Sequence, residues 1–363
     1  MTRSDAEPGD VDGFPDLRQI VHALDEIEAL QYDTQSRGDP SSRGDILLPA
    51  RMIPVPKSIS PEAQALLAAA VAHSRAEPLP PHESAPEVWR RLIGQFDSMI
   101  LSMLAGWEGA RDLDTRVEVA SAVRVYVTVP PSAVDDACYL DLHGGGLISG
   151  GGEACRLMGC LTAATVGLRT CSPDYRMPPD HPHPAALDDC VAVYRMLVER
   201  YGADRVIVGG ASAGGNLAAA LVLRARDEGL PMPAGLVLCT PELDLTESGD
   251  TFASLRNVDA VLPLPLMEAN LLYAAGADLS SPLLSPLFGD FSKGFPRTFL
   301  QSGTRDLFLS NTVRMHRALR RAGVEVELHV FEAMPHGGFG GAPEDAELSG
   351  EIRRFVADCL RPA

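Results

Sequence analysis

At 363 residues, 45% apolar and 22% charged, the chain has the make-up of a globular protein, with room for one large α/β domain and a cap or insertion. A formal net charge of −18 and no Lys/Arg stripe exclude a nucleic-acid partner, since a phosphate backbone would be repelled. The seven cysteines are odd in number and lack C-x-x-C spacing, which predicts buried thiols in a reducing compartment. With no basic n-region at the start and no stretch of membrane-spanning length, the expectation is a cytoplasmic protein with no membrane partner.

Residues 1 to about 14 read as a loose tail. Apolar residues then recur at helical spacing (Leu17, Ile20, Val21, Leu24, Ile27) until "GDPSSRGD" breaks the pattern. A second helix is predicted in "SPEAQALLAAAVAHSRA", with Ser60 as N-cap and Pro61 in the first turn. A third, "APEVWRRLIGQFDSMILSMLAG", carries one broad apolar stripe from Val88 and Trp89 through Phe96 and Met99 to Met103. Trp89, Phe96 and Met99 are candidates for lining a ligand pocket if a site lies beneath the stripe. Residues 1–110 are thus read as a tail and helical cap, and 111–363 as the catalytic domain.

From residue 115 the texture changes. "VRVYVTV" alternates strictly, as a half-buried strand should. Short apolar runs follow ("ACYLDL", "LRTCS", "RVIVGG", "AGLVLC", "RTFLQSG", "VEVELHVFE"), separated by helical stretches of ten or more residues. This order predicts an α/β fold, a mainly parallel sheet with helices on both faces. Residues 250–285 show no strand signal and are assigned as a contribution to the cap.

"DLHGGGLISGGGE", at 141–153, places six glycines directly after a strand. Such density serves either a phosphate or an oxyanion. It has no G-K-[ST] and no clean G-x-G-x-x-G fingerprint opening a helix, whereas H-G-G-G is an oxyanion-loop pattern. In "RVIVGGASAGGNLAAAL" a strand runs into Gly210-Ala211-Ser212-Ala213-Gly214 and a helix follows, the required context of a G-x-S-x-G nucleophile turn. Ser212 is therefore the candidate nucleophile, and the N–H groups of Gly144, Gly145 and Ala213 are the candidate oxyanion donors. A serine needs a base, and the base a carboxylate to hold its tautomer. Of the histidines after Ser212, His316 lies in a helical run and His329 in a strand, while His336 follows the last strand in a glycine-flanked loop. Asp306, just beyond a late strand, is favoured as the acid over Asp244, which ends an earlier one.

These stretches resemble the hormone-sensitive-lipase family of α/β-hydrolases, a group of bacterial carboxylesterases. The matches run in order through "HGGG" (143–146), "DYRMPPDHPHPAAL" (174–187), "GASAGGN" (210–216), "SGTRDLF" (302–308) and "GVEVELHVFEAMPHGGF" (323–339). The resemblance implies an α/β-hydrolase fold, the triad Ser212, Asp306 and His336, and a cap built from the N-terminal helices. It also implies structural roles for His143, Arg176 and Asp180 around the oxyanion loop and the "DYR" turn. His181 and His183, between prolines, read as a packed turn and not as metal ligands. The chain departs from the family at Ala211, where an acidic residue is usual. The expected activity is hydrolysis of small short- to medium-chain esters with no metal or cofactor, the rate rising with pH to a half-maximum near 6 to 7, from the histidine value of about 6.5. Amide or lactone hydrolysis would use the same groups, and a non-catalytic receptor on the same fold would lack the histidine. A homodimer is left open.

Overall fold

The computed structural model describes residues 52–73, 77–105, 113–131, 133 and 136–361. The helix expected around Leu17–Ile27 lies outside them. Residues 55–363 form one compact unit. Its strands are β1 (Thr115–Ala120), β2 (Val123–Thr128), β3 (Cys138–Leu142), β4 (Arg169–Pro173), β5 (Val206–Ala211), β6 (Gly235–Cys239), β7 (Thr298–Gly303) and β8 (Val326–Phe331). They form one sheet in the order β1-β2-β4-β3-β5-β6-β7-β8, antiparallel at β1–β2 and β2–β4 and parallel elsewhere. The helices are α1 (Pro61–His73), α2 (Pro86–Leu104), α3 (Glu153–Val166), α4 (Ala185–Tyr201), α5 (Ala213–Asp227), α6 (Thr251–Ser254), α7 (Met267–Ala274), α8 (Leu309–Arg321) and α9 (Pro343–Cys359).

Both faces of the parallel part are covered, which is why its strands read as near-continuous apolar runs. Successive residues feed opposite cores. Val206 and Val208 join Leu217, Leu221 and Tyr194 of the α4–α5 side. Ile207 between them joins Phe299 and the α9 residues Phe355 and Val356. The expected sheet gains β1, hairpinned to β2 through Ser121 and Ala122 at φ 48° and 73°. Asn-Gly or Asp-Gly normally announces such a turn, and Ser-Ala does not.

The chain passes from β3 to β4 on one side and returns to β5 on the other side of β3. Loops leaving the carboxyl ends of β3 and β5 therefore diverge, and this reversal point opens a crevice in such sheets.

The two described N-terminal helices pack onto loops at this edge. Ser60 caps α1 as expected, its Oγ accepting the Ala63 N–H at 3.1 Å. Ile59, Ala63 and Leu67 pack with Ala333, Met334 and Phe339 of the loop after β8. On α2, Trp89 is buried against Ile148 and Ala269, with Leu92, Ile93 and Phe96 half-buried beside it. The stripe is not buried along its whole length. Val88, Met99 and Met103 are 42%, 54% and 57% exposed, because α2 docks through the middle of the stripe and its last turns run past their partners. The segment 250–285 has no strand, and joins Trp89 through Ala269 and the loop after β7 through Phe252. No helix among the described residues is long and apolar enough to cross a membrane.

Candidate active site

Ser212 sits between β5 and α5 at φ 57°, ψ −124°, a backbone region that costs a non-glycine residue roughly 1–3 kcal/mol. The neighbours permit it. A Cβ on Gly210 would lie 2.4 Å from the Gly214 carbonyl carbon, and one on Gly214 would lie 1.8 Å from the Leu142 oxygen. Backbone bonds then lock the turn. The Ser212 N–H donates to the Cys239 carbonyl at 3.0 Å, and the Ser212 carbonyl accepts from Gly215 and Glu242 at 3.0 and 3.1 Å. Ala211, where the family usually has an acid, is exposed.

The glycine loop leaves β3 beside this turn. A Cβ on Gly144 would already touch the Ala211 oxygen at 3.1 Å and the Ser212 Cβ at 3.4 Å, so the two loops are in van der Waals contact. Gly145 has φ 128° and its missing Cβ would fall 2.1 Å from the Ser149 oxygen. Among the described residues, the N–H groups of Gly144, Gly145 and Ala213 donate to no other protein group.

Three supports hold the loop. His143 stacks on Tyr175 at 4.0 Å between ring centroids, its Nδ1–H donates to the Gly144 carbonyl at 2.8 Å, and the Tyr175 hydroxyl donates to the His143 carbonyl at 2.6 Å. Burial drives the His143 pKa down to about 4, so this ring is neutral. Asp97 of α2 accepts the Gly150 N–H and Asp174 accepts the Gly152 N–H, both at 2.8 Å. Arg176 clamps Asp189. Asp180 does not reach the loop: it pairs with Arg90 of α2 at 2.6 Å. His183 packs edge-on to Tyr273, in keeping with a packed turn.

His336 and Asp306 come from the loops after β8 and β7. The His336 Nδ1–H donates to Asp306 Oδ1 at 3.0 Å. Asp306 is fully buried and also accepts the Ser302 hydroxyl and the Phe308 N–H. Burial disfavours the imidazolium, yet the Asp306 hydrogen bond and charge, with Asp259 and Glu242 nearby, hold the His336 pKa above its ordinary value. Asp244, the alternative acid, accepts from Thr246, Ser248 and Arg314. It is occupied as the hub of its own turn.

Sequence reasoning missed two further buried acids. Glu242 is driven up to about 8, by burial and then by Glu247. Asp259 lies within 4.8 Å of both Asp306 and His336. These three side chains are close enough to hold a metal ion, but His336 Nδ1 is committed to Asp306 and Asp259 is taken up by backbone N–H groups. Cys155 is buried, which drives its thiol far above the usual range and disfavours a thiolate at that position.

A family described as having the alpha/beta hydrolase fold matches residues 139–339. A crystal structure of an esterase from the bacterial hormone-sensitive lipase family superposes with a TM-score of 0.69 at 28% identity, over 83% of this chain and 99% of that one. The chain belongs to the hormone-sensitive-lipase family of α/β-hydrolases. The crystal structure of esterase E25 is nearer still, with a TM-score of 0.79 and 33% identity over 87% of this chain and 99% of that one. An esterase of Acinetobacter venetianus is 31% identical over 196 residues, 53% of this chain. The match spans 64% of that relative, somewhat under two thirds of its length.

Proposed function

We propose that this family member hydrolyses short- to medium-chain carboxylic esters through Ser212, His336 and Asp306, with an oxyanion hole of the Gly144, Gly145 and Ala213 N–H groups. The observation that carries the reading is the conjunction at one sheet edge of a strained Ser212, an unpaired-donor glycine loop in contact with it, and a buried His336–Asp306 pair. The His336–Asp306 pair also argues against a non-catalytic receptor.

In the proposed cycle Ser212 Oγ attacks the ester carbonyl while His336 Nε2 takes its proton. The carbonyl oxygen becomes an oxyanion within reach of the three free N–H groups, each of which typically stabilises such a charge by about 3 kcal/mol. The C–O bond to the alcohol breaks, and the alcohol leaves with the proton from His336. Water then repeats the sequence on the acyl-enzyme, with His336 as base, and releases the acid. Asp306 keeps the proton of the neutral imidazole on Nδ1, leaving Nε2 free to accept.

The cap reading extends this to chain length. Helices α1 and α2, with residues 250–285, would roof the crevice, with Trp89 and Phe96 as its bulky lining and Met99 at its outer margin. A small ester is the partner, and the localisation is cytoplasmic. The decisive experiment compares wild type with Ser212→Ala on p-nitrophenyl butyrate. Turnover should fall to background with an unchanged thermal midpoint, and retained turnover refutes the nucleophile assignment. A series from acetate to laurate, with an amide and a lactone alongside, reads the substrate class.

A further inference from the structure

Asp259 lies 47 residues before Asp306 and 77 before His336, in the linker between α6 and α7. It is 1% exposed and accepts only backbone N–H groups. Its Oδ1 takes those of Val261 at 2.9 Å and Leu262 at 3.1 Å, closing its own turn. Its Oδ2 takes the N–H of Leu307, the residue after Asp306, at 2.9 Å. The His336 N–H lies 3.3 Å from both oxygens. One carboxylate thus ties together three segments distant in sequence, two of which carry the proposed acid and base.

We propose that Asp259 is a positioning residue, a buried staple that sets the backbone of His336 against that of Asp306 and so fixes the imidazole for proton transfer. The inference rests on the triad reading, because it assigns Asp259 a task only if Asp306 and His336 act as a pair. Loops after β7 and β8 have no ladder bonds to fix their separation beyond the strand ends. Thr304 N–H to the Phe331 carbonyl at 2.9 Å and Ala333 N–H to Thr304 Oγ1 at 2.7 Å hold the first residues. Beyond these, the Arg305 N–H reaches the Met334 carbonyl at a long 3.3 Å, the Gln301 side-chain N–H reaches Met334 Sδ at 3.3 Å, and Asp259 adds a charged fixed point at His336 itself. A full negative charge strengthens such bonds about twofold over neutral acceptors. The same charge acts on the imidazole. The ionisable groups around His336 are Asp306 after β7, Asp259 before α7 and Glu242 after β6, and all three favour the protonated ring.

Two variants separate a positioning role from a merely structural one. Asp259→Asn keeps the shape and removes the charge, so its kcat/KM profile should shift to lower pH, and kcat should fall about 10- to 100-fold with KM within twofold. Asp259→Glu keeps the charge but moves its point of attachment, so kcat should fall while the profile stays at the wild-type pH. Rates are taken per folded molecule, from far-UV ellipticity. If Asp259→Asn does not fold, Asp259→Ser, which leaves room for water among the N–H groups, is read in the same two ways. A lowered thermal midpoint with kcat and pH profile unchanged overturns the proposal. Failure of the triad itself is distinguishable, because Ser212→Ala or His336→Ala would then retain turnover whatever the Asp259 variants do.

Discussion

Burial alone would make His336 a weak base, since an imidazolium loses its hydration in an enclosed site. The Asp306 hydrogen bond and charge, with Asp259 and Glu242 around the ring, outweigh that loss and raise its pKa. The sign then follows for activity. Only the neutral ring accepts the Ser212 proton, and a raised pKa keeps the ring charged to higher pH. The half-maximum of kcat/KM should therefore lie above the unperturbed value of about 6.5. A pH–rate profile with its midpoint below 6.5 would contradict this balance of charges. Asp306→Asn should lower kcat by about 10⁴-fold, as the equivalent change does in serine proteases, by stabilising the wrong tautomer. Asp244→Asn should leave kcat within a few-fold while loosening the Thr246–Ser248 turn, and a larger effect than at Asp306 would reverse the assignment of the acid.

Between β3 and α3, two glycines of one loop make different predictions. Gly145→Ala places a methyl group 2.1 Å from the Ser149 oxygen at φ 128°, so the turn must open and carry its N–H away. Loss of one oxyanion donor of this kind costs on the order of 10²- to 10³-fold in kcat. Gly152→Ala meets nothing within 4 Å, but its φ of 62° and ψ of −126° place it in the same strained backbone region as Ser212. It should cost roughly 1–3 kcal/mol of stability and little rate. Equal rate losses in the two variants would mean that the loop acts as scaffold alone. This element was legible in sequence, as was the β5–α5 turn, because glycine density and the G-x-S-x-G spacing are local signals of local geometry. The ends of β7 and β8 were legible for the same reason. Asp97, Asp174, Tyr175 and Asp259 were not. Each acts on backbone 22 to 77 residues away, and nothing in "NVDAVL" distinguishes Asp259 from a surface acid. The β1–β2 hairpin escaped because its turn residues carry no signal.

At the scale of the whole molecule, the described N-terminal helices act on the catalytic edge and not on the sheet, whose ladder closes without them. Through Ala63 and Leu67, α1 braces the loop that presents His336, and Ser60 ties that loop's far end by two 2.7 Å hydrogen bonds to Glu344. Through Trp89 and Asp97, α2 braces the glycine loop at Ile148 and Gly150. Deleting residues 1–108 should therefore leave the triad residues present but their loops unbraced, with an apolar patch uncovered, lower solubility and reduced turnover. Point variants separate bracing from pocket lining. Trp89→Ala empties a fully buried site and should cost about 3–5 kcal/mol in stability. Phe96→Ala, at a half-buried position, should change the ratio of rates on butyrate and octanoate esters if α2 roofs the acyl chain. Met99→Ala, at a 54% exposed position, should alter stability by less than about 0.5 kcal/mol. Its effect on the same ratio then decides how far the roof extends. A shift with Phe96 and none with Met99 would place the end of the acyl pocket between those two turns of α2. No shift with either would make α2 a brace for the glycine loop alone, and the chain-length preference would have to come from the 250–285 segment.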